Sequence, residues 1–196
     1  MYRAFCIYIC LTKKYKPSDI AIIYFTADYH LSHKNIIKYC NRPFKTIDEM
    51  NAIILDNLVK SIVPGDTLYI LGDLTFDEKI AKDFFELLKD VEIHFIVGNH
   101  DSSQVIKICQ KYCASVSCLK NIIIEDQPIT LCHYAMRVWD KSHFNSWQLY
   151  GHSHGTLNGI GKQYDVGVDA NNFLPVSFAN LTELMEAKKD NFNYIL

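Results

Sequence analysis

Residues 92–101 read Glu92-Ile93-His94-Phe95-Ile96-Val97-Gly98-Asn99-His100-Asp101. An apolar, β-branched run stops on a glycine and then offers an amide, an imidazole and a carboxylate in succession. The run Glu92 to Val97 has the composition of a buried strand. The same arrangement recurs on both sides of it. Ile20 to Thr26 (IAIIYFT) is followed by Asp28-Tyr29-His30, and Thr67 to Leu71 (TLYIL) by Gly72-Asp73. Further on, the run from Ile129 to Cys132 leads into His133, and Gln148 to Tyr150 leads into Gly151-His152-Ser153-His154. Five strand ends therefore deliver Asp, His and Asn side chains. In open α/β sheets the carboxyl edge of the strands is where ligands bind, so these groups are expected to converge.

Helical patterns separate the first strands. Thr46-Ile47-Asp48-Glu49 is a capping box, with Thr at the N-cap and Glu at N3. The helix it opens carries Met50, Ile53, Ile54 and Leu58 at helical spacing and stops at Pro64-Gly65. Glu78 to Lys89 sets Ile80, Phe84, Leu87 and Leu88 on one face, and another helix is expected near Ser103 to Tyr112. The rhythm then changes. Ser115 to Ile124, Ile129 to Cys132, Gln148 to Tyr150 and Tyr164 to Val168 read as strands joined by short turns, and a last helix covers Ala179 to Lys188. Alternating βαβ units followed by a strand-rich half predict an α/β domain with two packed sheets covered by helices. Gly155, Gly159 and Gly161 lack the spacing of a phosphate-binding P-loop and read as turn glycines.

Composition narrows the function classes. The chain has 196 residues, which suits one domain: residues 1–20 read as an N-terminal extension and 21–196 as the domain. Hydrophobic residues make up 49%, which excludes wholesale disorder. Lys and Arg total 20 against 22 Asp and Glu, a net charge of -2, so no broad polycationic surface for duplex nucleic acid is expected. The apolar run Ala4 to Leu11 is too short to span a bilayer, and no small-residue cleavage site follows it. Seven cysteines (Cys6, Cys10, Cys40, Cys109, Cys113, Cys118 and Cys132) include no C-x-x-C pair. They read as reduced thiols in a cytoplasmic setting, with Cys109 and Cys113 sharing a buried helix face.

The ligand types at the strand ends define the chemistry. Imidazole, carboxylate and amide oxygen without thiolate suit Mn, Fe, Zn, Ni or Co rather than a structural zinc clamp. Seven candidates (Asp28, His30, Asp73, Asn99, His133, His152 and His154) are too many for one ion and suit two with a bridging carboxylate. Two such ions hold a hydroxide between them and clamp the attacking and leaving oxygens of a phosphoryl displacement. The residues alone therefore point to phosphoester hydrolysis.

Taken together, Asp28-x-His30, Gly72-Asp73, Gly98-Asn99-His100-Asp101, His133 and Gly151-His152-x-His154 resemble the calcineurin-like metallophosphoesterase superfamily, in its order, from residue 22 to about 181. The stretch His33 to Phe44 further resembles small bacterial and phage members. The resemblance implies a four-layer α/β/β/α sandwich of two mixed sheets flanked by helices. It also implies one ion on Asp28, His30, Asp73 and His154 and a second on Asp73, Asn99, His133 and His152, manganese being the foremost choice. A metal-bridging hydroxide would attack phosphorus, and His100 would donate a proton to the leaving alkoxide. Where phosphoprotein phosphatases of the superfamily carry an Asp that orients this His, the present chain has Phe76. Asp77 and Asp101 are left as candidate partners of His100. Of the three arginines, Arg42 and Arg137 are the candidates for clamping phosphate, with a surface role as the alternative for each. His33 either reaches the leaving-group side, caps a helix or sits on the surface.

The loop Tyr134 to Ser146 is expected to wall one side of the site. Its aromatics, with Trp147, either stack a base or, the favoured reading, close the loop's own small core. The expected substrate is a phosphodiester of a nucleotide or nucleic-acid end, since scarce arginine disfavours a dianionic monoester. A phosphomonoesterase and a non-catalytic scaffold of the same fold are the alternatives. The expected partners are a small-molecule phosphoester or a nucleic-acid end, with no membrane and no obligate protein partner.

Overall fold

The structure, a computed structural model, describes residues 21–195, so the extension read at residues 1–20 lies outside the described residues. Among the described residues nine strands form two mixed sheets. The first is built on β1 (Ile23–Thr26), β2 (Thr67–Ile70), β3 (Glu92–Ile96), β4 (Ser115–Ser117) and β9 (Val176–Ser177), in the order β4-β3-β2-β1-β9. Its first four strands are parallel and β9 is antiparallel to β1. The second contains β5 (Leu119–Ile124), β6 (Gln127–Cys132), β7 (Trp147–Tyr150) and β8 (Gln163–Asp165) in sequence order, with β6, β7 and β8 mutually parallel.

The helices are α1 (Ile36–Tyr39), α2 (Ile47–Ser61), α3 (Glu78–Leu87), α4 (Ser103–Tyr112) and α5 (Phe178–Glu186). The capping box forms as read: Thr46 Oγ1 accepts from Glu49 N at 3.1 Å. The Glu49 carboxylate reaches one residue further back than the motif requires, to Lys45 N at 2.8 Å.

Strand periodicity sends alternate side chains into two cores. Leu68 and Ile70 of β2 join Met50, Ile54, Leu58, Phe84, Phe85 and Val105 in the layer of α2, α3 and α4. Tyr69 and the adjoining Leu71 face the other way, with Phe25 and Ile96, onto Ile129, Leu131 and Leu149 of the second sheet and Phe178, Leu181 and Met185 of α5. Each such fully buried side chain contributes about 1.5–3 kcal/mol. The two cores fix both sheets in register, and with them the edge where the parallel strands end. Among the described residues no helix is long and apolar enough to cross a membrane.

The single strand read over Ser115–Ile124 is corrected to two strands. The chain leaves the first sheet after Ser117, passes Cys118, and enters the second sheet at Leu119. No glycine or proline stands between Ser115 and Ile124, so nothing local marks the change of partner. The hairpin from β5 to β6 closes on Glu125 and Asp126, both at positive φ (48° and 65°), as a two-residue turn with the strand twist requires.

Candidate metal centre

Five strands deliver their ends to one edge. β1, β2 and β3 bring Asp28 and His30, Gly72-Asp73, and Gly98-Asn99-His100. β6 and β7 bring His133 and the segment 151–154. The backbone is stitched across these ends: Asp28 N donates to Gly72 O at 3.0 Å, His30 N to Asp73 O at 2.9 Å, and Gly151 N to His133 O at 3.0 Å. The two sheets meet where His152 N donates to Asp28 Oδ2 at 2.8 Å.

The side chains form two adjoining groups able to hold metal ions. Asp28, His30 and His154 place their ligand atoms within 4.8 Å of one another, and Asp73, His133 and His152 do the same. Asp73 Oδ2 links the two groups, lying 3.5 Å from His30 Nε2 and 3.4 Å from His133 Nε2. Asn99 Oδ1 is 2.9 Å from His133 Nε2, so the amide belongs to the second group. The structure thus brings together Asp28, His30, Asp73, Asn99, His133, His152 and His154.

Three atoms test whether a cation fits. Asp28 Oδ1, His30 Nε2 and Asp73 Oδ2 are buried and have no hydrogen-bond partner. A buried polar atom left unpaired costs about 1–3 kcal/mol, and a cation is the partner that would satisfy carboxylate oxygen and neutral imidazole nitrogen together. Burial holds His30 down to about 3, against the pull of Asp73, so its imidazole is neutral and its lone pair free. Burial likewise pushes Asp28 up to about 7, the mark of a carboxylate in need of positive charge. His133 donates from Nδ1 to the Leu71 carbonyl at 2.7 Å, which turns Nε2 toward Asp73.

Several of these same residues hold a strained backbone. Asp28, His30, Asp73, His152 and His154 all have positive φ, between 48° and 65°, although none is glycine. Each such conformation costs about 1–3 kcal/mol and persists only where the surroundings over-determine it. Glycines make the room. A Cβ on Gly98 would overlap the Asp73 carboxylate, and one on Gly151 would sit 2.5 Å from Asp28 Oδ2.

Three expected catalytic residues take other places. Arg42 does not clamp phosphate: its guanidinium is fully buried and donates to Asp169 from Nε at 2.8 Å and Nη2 at 2.7 Å. It also donates to the carbonyls of Asp28 and Tyr29 at 2.7 and 3.0 Å. Arg137 stacks on the Phe192 ring at 4.5 Å and is not among the residues lining the cleft above the metal groups. Asp101 is no partner of His100. It is buried and accepts from Gly98 N, Asp73 N and Leu74 N at 2.8, 3.0 and 3.1 Å, anchoring the loops that carry Asp73 and Asn99. Asp77 is likewise committed, as N-cap of α3, accepting from Lys79 N and Ile80 N. His100 is exposed at the cleft and has rings rather than a carboxylate beside it, Phe76 edge-on at 5.4 Å and His30 at 5.3 Å.

His33 lines the cleft, 5.7 Å from the His30 ring. Trp139 is buried and donates from Nε1 to Ser146 O at 3.1 Å within the 134–146 loop, whereas Trp147 packs in the core between the second sheet and α5.

Two residues were missed in the sequence. Asp169 accepts from His154 Nδ1 at 2.7 Å while holding Arg42, so it orients a candidate ligand. Burial raises Asp169, but the hydrogen bonds from His154 and Arg42 outweigh it and keep the carboxylate below its ordinary range. Asp165 accepts from Ser153 Oγ, Gly155 N and Gly167 N at 2.7, 2.9 and 2.8 Å and shapes the loop that carries His152 and His154. Both follow the same rule as the others, since they stand at the end of β8.

Fold and site together define an α/β sandwich whose strand ends converge two Asp/His groups able to hold metal ions. No family model matches the chain. It is 34% identical over 176 residues to the uncharacterized protein MJ1445 of Methanocaldococcus jannaschii, covering 85% of this chain and 93% of that one, and it belongs to the same family. A protein of unknown function, AQ665 from Aquifex aeolicus, has the same fold at a TM-score of 0.69 and 25% identity, over 84% of this chain and 100% of that one. The Pseudomonas putida nuclease MPE aligns at a TM-score of 0.43 and 18% identity, over 67% of this chain and 61% of that one, too low a likeness to argue from.

Proposed function

We propose that the protein is a dinuclear metal-dependent phosphoesterase acting on a phosphodiester of a nucleotide or nucleic-acid end. The observation that carries the reading is the convergence of Asp28 Oδ1, His30 Nε2 and Asp73 Oδ2, three buried, unpaired ligand atoms, with Asp73 Oδ2 between the two groups. Asp28, His30, Asp73 and His154 would hold one divalent ion, and Asp73, Asn99, His133 and His152 the second. When bound, the ions supply an acidified water and neutralise charge on the phosphoryl oxygens.

The remaining work falls to the protein's own groups. The His100 backbone N–H holds Asp73 Oδ1 at 2.9 Å, which leaves Oδ2 to face both ligand groups. The His100 imidazole stands at the cleft, where it would pass a proton to the departing ester oxygen. The cleft, about 850 Å³, has no Lys or Arg among the described residues that line it. A dianionic monoester wants more positive charge than the ions alone provide, and with Arg42 locked to Asp169 the diester is favoured.

The test is hydrolysis of bis(4-nitrophenyl) phosphate and 4-nitrophenyl phosphate by metal-stripped protein with Mn²⁺ restored. Manganese-dependent cleavage that favours the diester upholds the proposal. Cleavage of the monoester alone reverses the substrate class, and no cleavage with two ions bound per chain overturns the enzyme.

A further inference from the structure

Four aromatic rings form a closed circuit at the mouth of the metal centre. His30 contacts His33 at 5.7 Å, His33 meets Phe76 edge-on at 5.1 Å, Phe76 meets His100 at 5.4 Å, and His100 returns to His30 at 5.3 Å. Tyr39 extends the row outward, 6.2 Å from His33. Tyr39 is 73% exposed and Phe76 46%, although both are large rings beside a cleft. Neither belongs to the two hydrophobic cores. Exposed rings grouped at a cleft mark a surface that takes an apolar, flat partner.

Charge decides what kind of partner. No Lys, Arg, Asp or Glu is among the described residues lining the cleft; besides the histidines its walls are apolar or neutral, Ile36, Tyr39 and Leu157 among them. A groove that tracks a nucleic-acid strand needs cations along its path. These walls have rings without cations, which suits one base beside one phosphate and not a polyanionic strand.

Resting on the phosphoesterase reading, we infer that the wall of Tyr39, His33 and Phe76 is a stacking subsite for a nucleobase, so that the substrate is a small nucleotide diester and not a polymer. The ring esterified through its sugar to the phosphate lies against Tyr39 and Phe76, and the phosphate is left over the Asp28 and Asp73 carboxylates. Tyr39 and Phe76 then determine specificity without touching the reacting atoms.

The experiment compares kcat/KM for thymidine 5′-(4-nitrophenyl phosphate) and methyl 4-nitrophenyl phosphate, which share a leaving group and differ in the base. The manganese-loaded protein is expected to prefer the thymidine ester by about tenfold or more. Tyr39→Ala and Phe76→Ala should each bring that ratio toward one with two ions still bound per chain, and Tyr39→Phe should keep it. Turnover of both esters at equal kcat/KM by the unaltered protein overturns the stacking subsite and leaves the phosphoesterase reading standing. If neither diester is turned over, that reading falls, and calorimetric titration with adenosine 5′-monophosphate and ribose 5-phosphate decides the wall separately. Tenfold tighter binding of the nucleotide upholds it, and equal affinity overturns it.

Discussion

Replacing Asp169 by Asn tests how the site is held. The carboxylate serves two donors at once, the buried Arg42 guanidinium through bonds of 2.8 and 2.7 Å and His154 Nδ1 at 2.7 Å. Removing one partner of a buried ion pair costs about 3–5 kcal/mol, because the other charge is left uncompensated. Asparagine keeps an oxygen for one donor, and Arg42 keeps the carbonyls of Asp28 and Tyr29, so the loss belongs near about 3 kcal/mol. For a chain of this length that lowers the unfolding midpoint by about 6–12 °C. Freed from its acceptor, the His154 ring is no longer oriented, and metal affinity should fall about 10–100-fold.

Thermal unfolding in the presence of chelator reads the first effect, and calorimetric titration with Mn²⁺ reads the second. The double variant Arg42→Met, Asp169→Asn separates them. It removes the stranded charge, so stability should partly return while metal affinity stays low. An Asp169→Asn protein with unchanged midpoint and unchanged affinity would refute the reasoning, and recovery of metal affinity in the double variant would refute the positioning of His154.

Other outcomes follow from the same geometry. Asp73→Asn should weaken binding of both ions and abolish hydrolysis, and full turnover with two ions bound would sink the shared-ligand model. His100→Ala should retain both ions yet slow alkyl esters far more than nitrophenyl esters; equal slowing of both excludes proton donation. Gly98→Ala should cost about 1–3 kcal/mol from overpacking against the Asp73 carboxylate, measured by denaturant unfolding, and should weaken metal binding as well. Burial holds a proton on Asp28 up to about pH 7, and that proton must leave before a cation binds. Metal affinity should therefore rise with pH through about 7, with more proton release seen by calorimetry at pH 6 than at pH 8.

The strand ends were legible because two constraints coincide there. A buried strand shows as an apolar run, and Gly72, Gly98 and Gly151 mark where the backbone needs room beside a carboxylate or a neighbouring strand. The capping box at Thr46 is local and was equally readable. What depended on tertiary direction was not. Arg42 lies next to the site in sequence, but its side chain points inward to a carboxylate 127 positions away, which no spacing reveals. Asp101 follows a motif histidine and looks catalytic, yet its oxygens are consumed by three backbone amides. Asp169 carries no motif, and only its place after β8 could have found it. The passage between sheets at Cys118 had no glycine or proline to signal it.

The bond between His152 and Asp28 spans 124 positions, and the one between Arg42 and Asp169 spans 127. The site is thus assembled by long-range contacts, which close late and at an entropic cost that local helices do not bear. A partly folded chain with its helical layer already packed on β1, β2 and β3 would still have only half a ligand set. Cations would select the finished protein almost exclusively, and metal supply would act on the last step of folding, drawing newly made chains into the native state.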